Sequence, residues 1–358
     1  MIRRSAPARV GLLGNPSDGY GGRTLALAVP RFEATVTLDH DDGIVIVGHP
    51  DDEPRWPSLE AMTERLDRHG YGTGPQLLAA TVRTFVDVAR SIDHPLVPIG
   101  FRLSYETSIP RQVGLGGSSA LVVAALRCLG EHHGLTIPEI LLPSIALRVE
   151  TEELGLSAGL QDRVVQTFGG LVAMDFAAVE VDARFGVAHG HYEQIDCRTL
   201  PPLFLAYREG AAEPSDVYHH RLRVRYEEGD PVVREVLRDL AALVVEGRAA
   251  LRWDDGARFA QLLGRNMALR LALGPLPADQ LELIEVAAAC GAEATFAGSG
   301  GSVVGVHEGP THLAALGEAY ATVGAEVVAV EPSGTVVDDD GDDDPADNVV
   351  ALPRRADR

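Results

Sequence analysis

Lysine is absent from this sequence: all 31 basic residues of the 358 are arginine. Chemistry that needs a lysine amine therefore has no side chain to work with, which excludes a Walker-A phosphate loop and Schiff-base or pyridoxal-phosphate catalysis. Any phosphate clamp must be built from arginine, backbone N–H groups or a metal ion. Cysteine is nearly absent too. Cys128, Cys197 and Cys290 are far apart and odd in number, which suits reduced thiols in a cytoplasm better than a disulfide framework. Long apolar runs are also missing. The uncharged stretch from Gln112 to Leu126 has 15 residues, three of them glycine, and the N-terminus has basic residues but no apolar stretch ahead of a cleavage site. Neither a signal peptide nor a membrane span is expected. Positive charge is scarce relative to negative, 31 basic against 52 acidic residues for a net −21. That balance repels nucleic acid and anionic membrane surfaces, so neither is expected as a partner.

What is present is ordinary globular material, 46% hydrophobic and 23% charged, enough for two packed domains. Residues 8–14 read as a buried strand, and 33–38 with 44–48 as a hairpin across Asp39–Gly43. Helical spacing follows at 58–69 and 76–92, then a strand at 97–106 that runs into the loop Ile109–Gly117. Helices are expected at 118–133 and, after Pro138, to about Glu153. Short strands at 170–175 and 203–207 precede helices at 231–250, 256–273 and 278–290. The chain then alternates strand, glycine loop, strand, helix and strand between 294 and 330, as in an α+β layer. The boundary between halves is placed near 195–202, which gives domains 1–200 and 201–332. From Gly334 onward eight aspartates face three arginines with no apolar periodicity, so 333–358 reads as a disordered acidic tail.

The strongest chemical signal is Pro110-Arg-Gln-Val-Gly114-Leu115-Gly116-Gly117-Ser118-Ser119-Ala120, set between a strand and a long helix. Small residues let the backbone approach a ligand closely, and the free N–H groups and dipole of the helix start favour an anion. This is a phosphate cradle, although an isolated glycine turn as often serves only to join strand to helix. A second cluster holds Glu150, Glu152 and Glu153, with Asp162 and Arg163 following. A carboxylate nine residues beyond a carboxylate cluster can separate metal ligation from acceptance of a substrate proton. The pairs His219-His220 and His189-x-His191 lack carboxylate or thiol partners at ligand spacing and read as loop residues rather than a zinc site.

These strings resemble the GHMP kinases (galactose, homoserine, mevalonate and phosphomevalonate kinases). Gly114 to Ala120 is similar to their second motif, P-x-x-x-G-L-G/S-S-S-A. The resemblance makes Gly114, Leu115, Gly116, Gly117, Ser118 and Ser119 the nucleotide-binding loop and Ser118 the magnesium ligand, with Ser119 as the alternative. Ala6-Pro-Ala-Arg9-Val-Gly-Leu-Leu-Gly14-Asn15-Pro16 resembles the first motif, A-P-G-R/K-V-x-L-x-G-E-H. By that match Arg9 is the catalytic cation, a task open to an always-charged guanidinium. Asn15 stands where many members carry Glu, and Asp18 matches an aspartate that holds sugar hydroxyls in the galactokinase branch. Without the resemblance Arg9 is a surface arginine and Asp18 a turn residue.

The same match makes Asp162 the catalytic base and Glu153 a magnesium ligand, with Glu150 and Glu152 as alternatives. Thr295-Phe-Ala-Gly298-Ser299-Gly300-Gly301-Ser302 resembles the third motif and implies that Ser299 and Gly300 lie against the substrate. ATP and Mg2+ are the implied cofactors, and the implied fold is two α+β domains with the active site in the cleft between them. Around these motifs the sequence is similar to the glucuronokinase branch, which implies anomeric phosphorylation of glucuronate. A sugar carboxylate requires a cation. Arg163 is the first candidate, with Arg111 and Arg23 as others, and each could instead be a structural ion pair. Two further readings are a sugar-binding regulator that has lost catalysis and a kinase for an isoprenoid alcohol.

Overall fold

The computed structural model describes residues 1–47, 55–69, 76–210 and 215–331; the acidic tail lies outside them. Strands β1 (Ile2–Leu13) and β2 (Arg23–His40) run antiparallel along almost their whole lengths. The C-terminal part of β2 pairs with β5 (Phe101–Thr107) and its N-terminal part with β6 (Leu171–Asp182). Adding β3 (Ile44–Ile46), β4 (Arg55–Trp56) and β7 (Val187–Ile195) gives seven strands, ordered β4-β3-β5-β2-β6-β7 with β1 on β2. The second sheet is smaller, ordered β11-β8-β10-β9 from β8 (Leu203–Tyr207), β9 (Ala294–Phe296), β10 (Ser302–Val306) and β11 (Glu326–Val330). Apolar residues of both sheets join one core, in which Leu12, Leu27 and Phe101 meet Leu205, Leu243 and Phe259.

The expected hairpin between 33–38 and 44–48 does not form. β3 pairs in parallel with β5, Ile44 opposite Phe101 and Ile46 opposite Leu103, so β5 lies between β2 and β3. Phe101 and Leu103 are both fully buried, and a central strand position gives them that burial. A turn signal read locally cannot register a competing strand sixty residues away.

The helices follow from local chemistry. α3 (Gly117–His133) is rich in Ala, Val and Leu, is buried along most of its length, and ends at Gly134 in the left-handed region. α4 (Leu142–Arg148) passes at Val149 into a π-helical turn through Glu153. The helix expected from 138 to 153 is therefore interrupted at its acidic end, and the change in pitch alters which carboxylates face inward. α5 (Gln161–Phe168) follows. In the second half Asp230 caps α7 (Pro231–Arg252) by accepting from Val232 N and Val233 N, and Asp255 caps α8 (Gly256–Ala272) by accepting from Arg258 N.

One core histidine makes stability depend on pH. His133 stacks on Phe85 at 5.4 Å, accepts a hydrogen bond from Val97 N at Nδ1, and is 3% exposed. Burial, reinforced by His132 and His94, pushes its pKa down to about 4. The unfolded chain takes up a proton near pH 6.5 that the native state refuses until about 4, so stability falls as pH drops through that window, by on the order of 3 kcal/mol. His133→Asn, which keeps an acceptor for Val97 N, should flatten this loss in denaturant melts at pH 7 and 4.5. Equal pH slopes in the two proteins would remove His133 as the cause.

Candidate active site

Three segments converge at one cleft of about 490 Å3. The first is the start of α3. Gly116 adopts φ 76° just ahead of the helix, a conformation open to glycine at little cost. Ala120 N is the first backbone donor to turn back, onto Gly116 O. The N–H groups of Gly117, Ser118 and Ser119 thus precede the helical ladder and point out of the helix start, where an anion is favoured. Ser119 is buried with its hydroxyl committed to Gly116 O at 3.0 Å, whereas Ser118 is exposed on the cleft wall.

The second segment is strand β1. Arg9 is buried, and its guanidinium makes a two-pronged pair with Asp162 of α5, Nε to Oδ1 at 2.6 Å and Nη2 to Oδ2 at 2.7 Å. Arg9 Nη1 donates to Gly114 O at 2.5 Å and to Ala297 O at 3.3 Å. One side chain therefore ties together the strand of the first motif, the glycine loop, the proposed base and the third motif. A methyl group at Gly116 would sit 3.3 Å from Asp162 Oδ2, so the carboxylate lies directly beside the start of α3. Asp18, in the short helical turn after β1, is buried on the cleft wall and accepts from Gln161 N at 3.1 Å.

The third segment is the loop after β9. Gly298, Ser299 and Gly300 pack against Gly114, and Ser299 lines the cleft. Ser302 Oγ donates to Val113 O at 2.6 Å, locking this loop to the glycine loop.

Of the acidic cluster, Glu150 is the carboxylate that lines the cleft, at the start of the π-helical turn. Glu152 is exposed and paired with Arg148, and Glu153 does not line the cleft. Arg163 is buried among these groups. Its Nη2 meets Glu150 Oε2 and its Nη1 donates to Gly159 O at 2.6 Å. Burial pushes its pKa down to about 9, with Asp18 working against that shift and Arg9 adding to it; the group stays charged at neutral pH. Arg111 lines the cleft from the glycine-loop side. Arg23 is elsewhere, ion-paired with Asp175 on a second groove of about 540 Å3. His189 and His191 belong to β7 and 219–220 to α6 (Ser215–Glu227), not to loops, and no group of three His, Cys, Asp or Glu able to hold a metal occurs among the described residues.

Residues 70–170, which contain the glycine loop and Asp162, match the GHMP kinases N terminal domain. The chain is 39% identical over 341 residues to glucuronokinase 1 of Arabidopsis thaliana, covering 93% of each protein. The chain is a GHMP kinase. Probable glucuronokinase 2 of the same plant is 40% identical, with 87% of this chain and 86% of that protein covered. The Methanococcus jannaschii mevalonate kinase has the same fold, with a TM-score of 0.71 at 15% identity over 93% of this chain and 98% of that one. As a GHMP kinase it is an ATP-dependent phosphotransferase for a small-molecule alcohol. None of its helices among the described residues is long and apolar enough to cross a membrane.

Motif reading missed two side chains of this GHMP kinase that brace the site from α8. Asn266 Oδ1 accepts from Gly14 N and its Nδ2 donates to Thr295 Oγ1, both at 2.9 Å. Arg270, one helical turn on, donates to Asn15 Oδ1 at 2.9 Å and to Gly298 O at 2.8 Å. Both are 1% exposed. The available signal was two polar residues spaced i, i+4 on the apolar face of α8, next to Leu262, Leu263 and Met267.

Proposed function

We propose that this kinase transfers the γ-phosphoryl of ATP to the anomeric hydroxyl of glucuronate, giving glucuronate 1-phosphate and ADP. The observation that carries the chemistry is the Arg9–Asp162 pair, held beside a helix-start phosphate cradle in the same cleft as Asp18. The substrate class rests on the two glucuronokinase relatives at about 40% identity over most of the chain.

Asp162 accepts the proton of the attacking hydroxyl as that oxygen bonds to the γ-phosphorus and the bond to the β–γ bridging oxygen breaks. Arg9, fixed by three backbone and carboxylate partners, needs no reorganisation to balance charge on the transferring group. The free N–H groups of Gly117, Ser118 and Ser119 receive phosphate oxygens, and Asp18 orients sugar hydroxyls. Ser299 and Gly300 close the site from the second sheet.

Magnesium fits a site with few protein ligands, since it keeps most of its shell as water and phosphate oxygens. Ser118 offers the accessible hydroxyl, and Glu150 is the one carboxylate of the 150–153 cluster on the cleft wall; a bound ion would offset negative charge on the phosphates. Ser118→Ala should raise the magnesium concentration needed for half-maximal rate by roughly tenfold or more. Ser119→Ala should leave the magnesium dependence near wild type, since its hydroxyl is turned onto Gly116 O, which also accepts from Ala120 N and Gln166 Nε2. A magnesium effect confined to the Ser119 variant would transfer the ligand role to that residue.

The reading as a whole is tested by ADP release with glucuronate, glucose, galactose and mevalonate. The expected result is saturable turnover of glucuronate to a product whose phosphate is lost in mild acid, as anomeric phosphates are. Preference for mevalonate or for a neutral sugar would overturn it, and no turnover of any of them would favour a sugar-binding protein without catalysis.

A further inference from the structure

A uronate brings a negative charge into a cleft that already holds the carboxylates of Asp18, Glu150 and Asp162. The arginines named from the sequence do not offer it a free cation at the sugar end. Arg163 is committed to Glu150 and Gly159 O, Arg23 is on another face, and Arg111 stands on the side of the phosphate loop.

Asn15 has a different character. It lies three residues from Asp18, is 8% exposed, and lines the same cleft. Its amide orientation is decided by chemistry: a guanidinium can only donate, so the atom 2.9 Å from Arg270 Nη1 must be the carbonyl oxygen. Arg270 is itself held by Gly298 O and lies over the Phe296 ring at 5.4 Å. The Asn15 NH2 therefore points away from Arg270. It has no acceptor among the described residues, and it is not one of the buried side-chain atoms left without a partner. It is reached from the cleft. A cation behind the amide oxygen also strengthens the amide as a donor.

We propose that Asn15, oriented and polarised by Arg270, is the residue that receives the carboxylate of an acidic sugar. Arg270 is then a positioning residue that delivers positive character to the sugar end without exposing a charge there. This rests on the glucuronate reading. A carboxylate at position 15 would still pair with Arg270, but it would present an acceptor and a negative charge where the substrate carboxylate arrives.

The test uses the full-length chain with saturating ATP, reading KM for glucuronate against KM or the inhibition constant for glucuronamide, which replaces the carboxylate with a neutral amide of the same shape. Asn15→Asp should raise the glucuronate KM by roughly 10- to 100-fold and change the glucuronamide constant by only a few-fold. Asn15→Ser, which removes the donor without adding charge, should give a smaller rise with the same selectivity, and it carries the test if the Asp variant melts early. Equal changes for the acid and the amide in the Asn15 variants, or an acid-selective loss in Arg111→Met instead, would overturn the assignment while leaving glucuronate as substrate. A wild-type enzyme that does not turn over glucuronate would remove the reading and the inference with it.

Discussion

Asp162→Asn is expected to lower kcat with glucuronate by about 10²- to 10⁴-fold, the usual cost of losing a general base, while leaving the ATP dissociation constant within a few-fold of wild type. The two halves of this expectation have separate causes. An amide of the same shape cannot accept the hydroxyl proton, so the chemical step suffers. The proposed phosphate site is the start of α3, which Asp162 does not build, and Arg9 keeps its contacts to Gly114 O and Ala297 O even when its carboxylate partner becomes neutral. Nucleotide titration of the variant, alongside its turnover, distinguishes these. Near wild-type turnover would remove Asp162 from the base role, and a large loss of ATP affinity would show that the Arg9–Asp162 pair mainly holds the loop together.

Gly298→Ala should be nearly as damaging, although residue 298 has no functional group. A Cβ there would lie 2.0 Å from Gly114 O and 3.0 Å from Arg9 Nη1. The first of these is a backbone atom, so no rotamer change relieves the overlap. The third motif would have to move off the glycine loop, although Arg270 holds the Gly298 carbonyl from the other side. Displacement of this size costs on the order of 10²-fold in kcat/KM and about 1–3 kcal/mol in stability. Gly317→Ala is the control, because Gly317 lies in α10 (Pro310–Ala321) with open space at its Cβ position. That change should be neutral or slightly stabilising, as alanine is the better helix former. Equal activity in the two variants would show that the contact between Gly298 and Gly114 has slack.

The contrast between Asp162 and Glu150 shows how far a linear reading goes. The place of Asp162 at the cleft was legible because a preceding carboxylate cluster and a family-like spacing both pointed to it. Within the cluster, the choice among Glu150, Glu152 and Glu153 depended on helix pitch. An α-helix and a π-helical turn project the same residues in different directions, and the turn at Val149–Glu153 carries no breaker that marks it in the sequence. Of the three, the first is the one on the cleft wall. Arg163 had the same problem. Its place beside Asp162 was evident, but its commitment to Glu150 required both to be buried together, a condition that arises from packing and not from spacing.

Local sequence was enough to delimit the chemistry open to this protein: no lysine, a glycine- and serine-rich helix start, an arginine and an aspartate in family-like motifs, and helices and strands whose periodicity is local. Those features depend on residues within a few positions of each other, and they can be read without knowing the fold. The tertiary structure alone decided which groups meet. The Arg9–Asp162 pair closes over 153 residues and the Arg270–Asn15 bond over 255, and β5 displaced β3 from β2 because burying Phe101 and Leu103 outweighed a nearby turn. Contacts of that range follow from how both sheets share one core, since the burial of apolar faces fixes the distances at which distant polar side chains can pair.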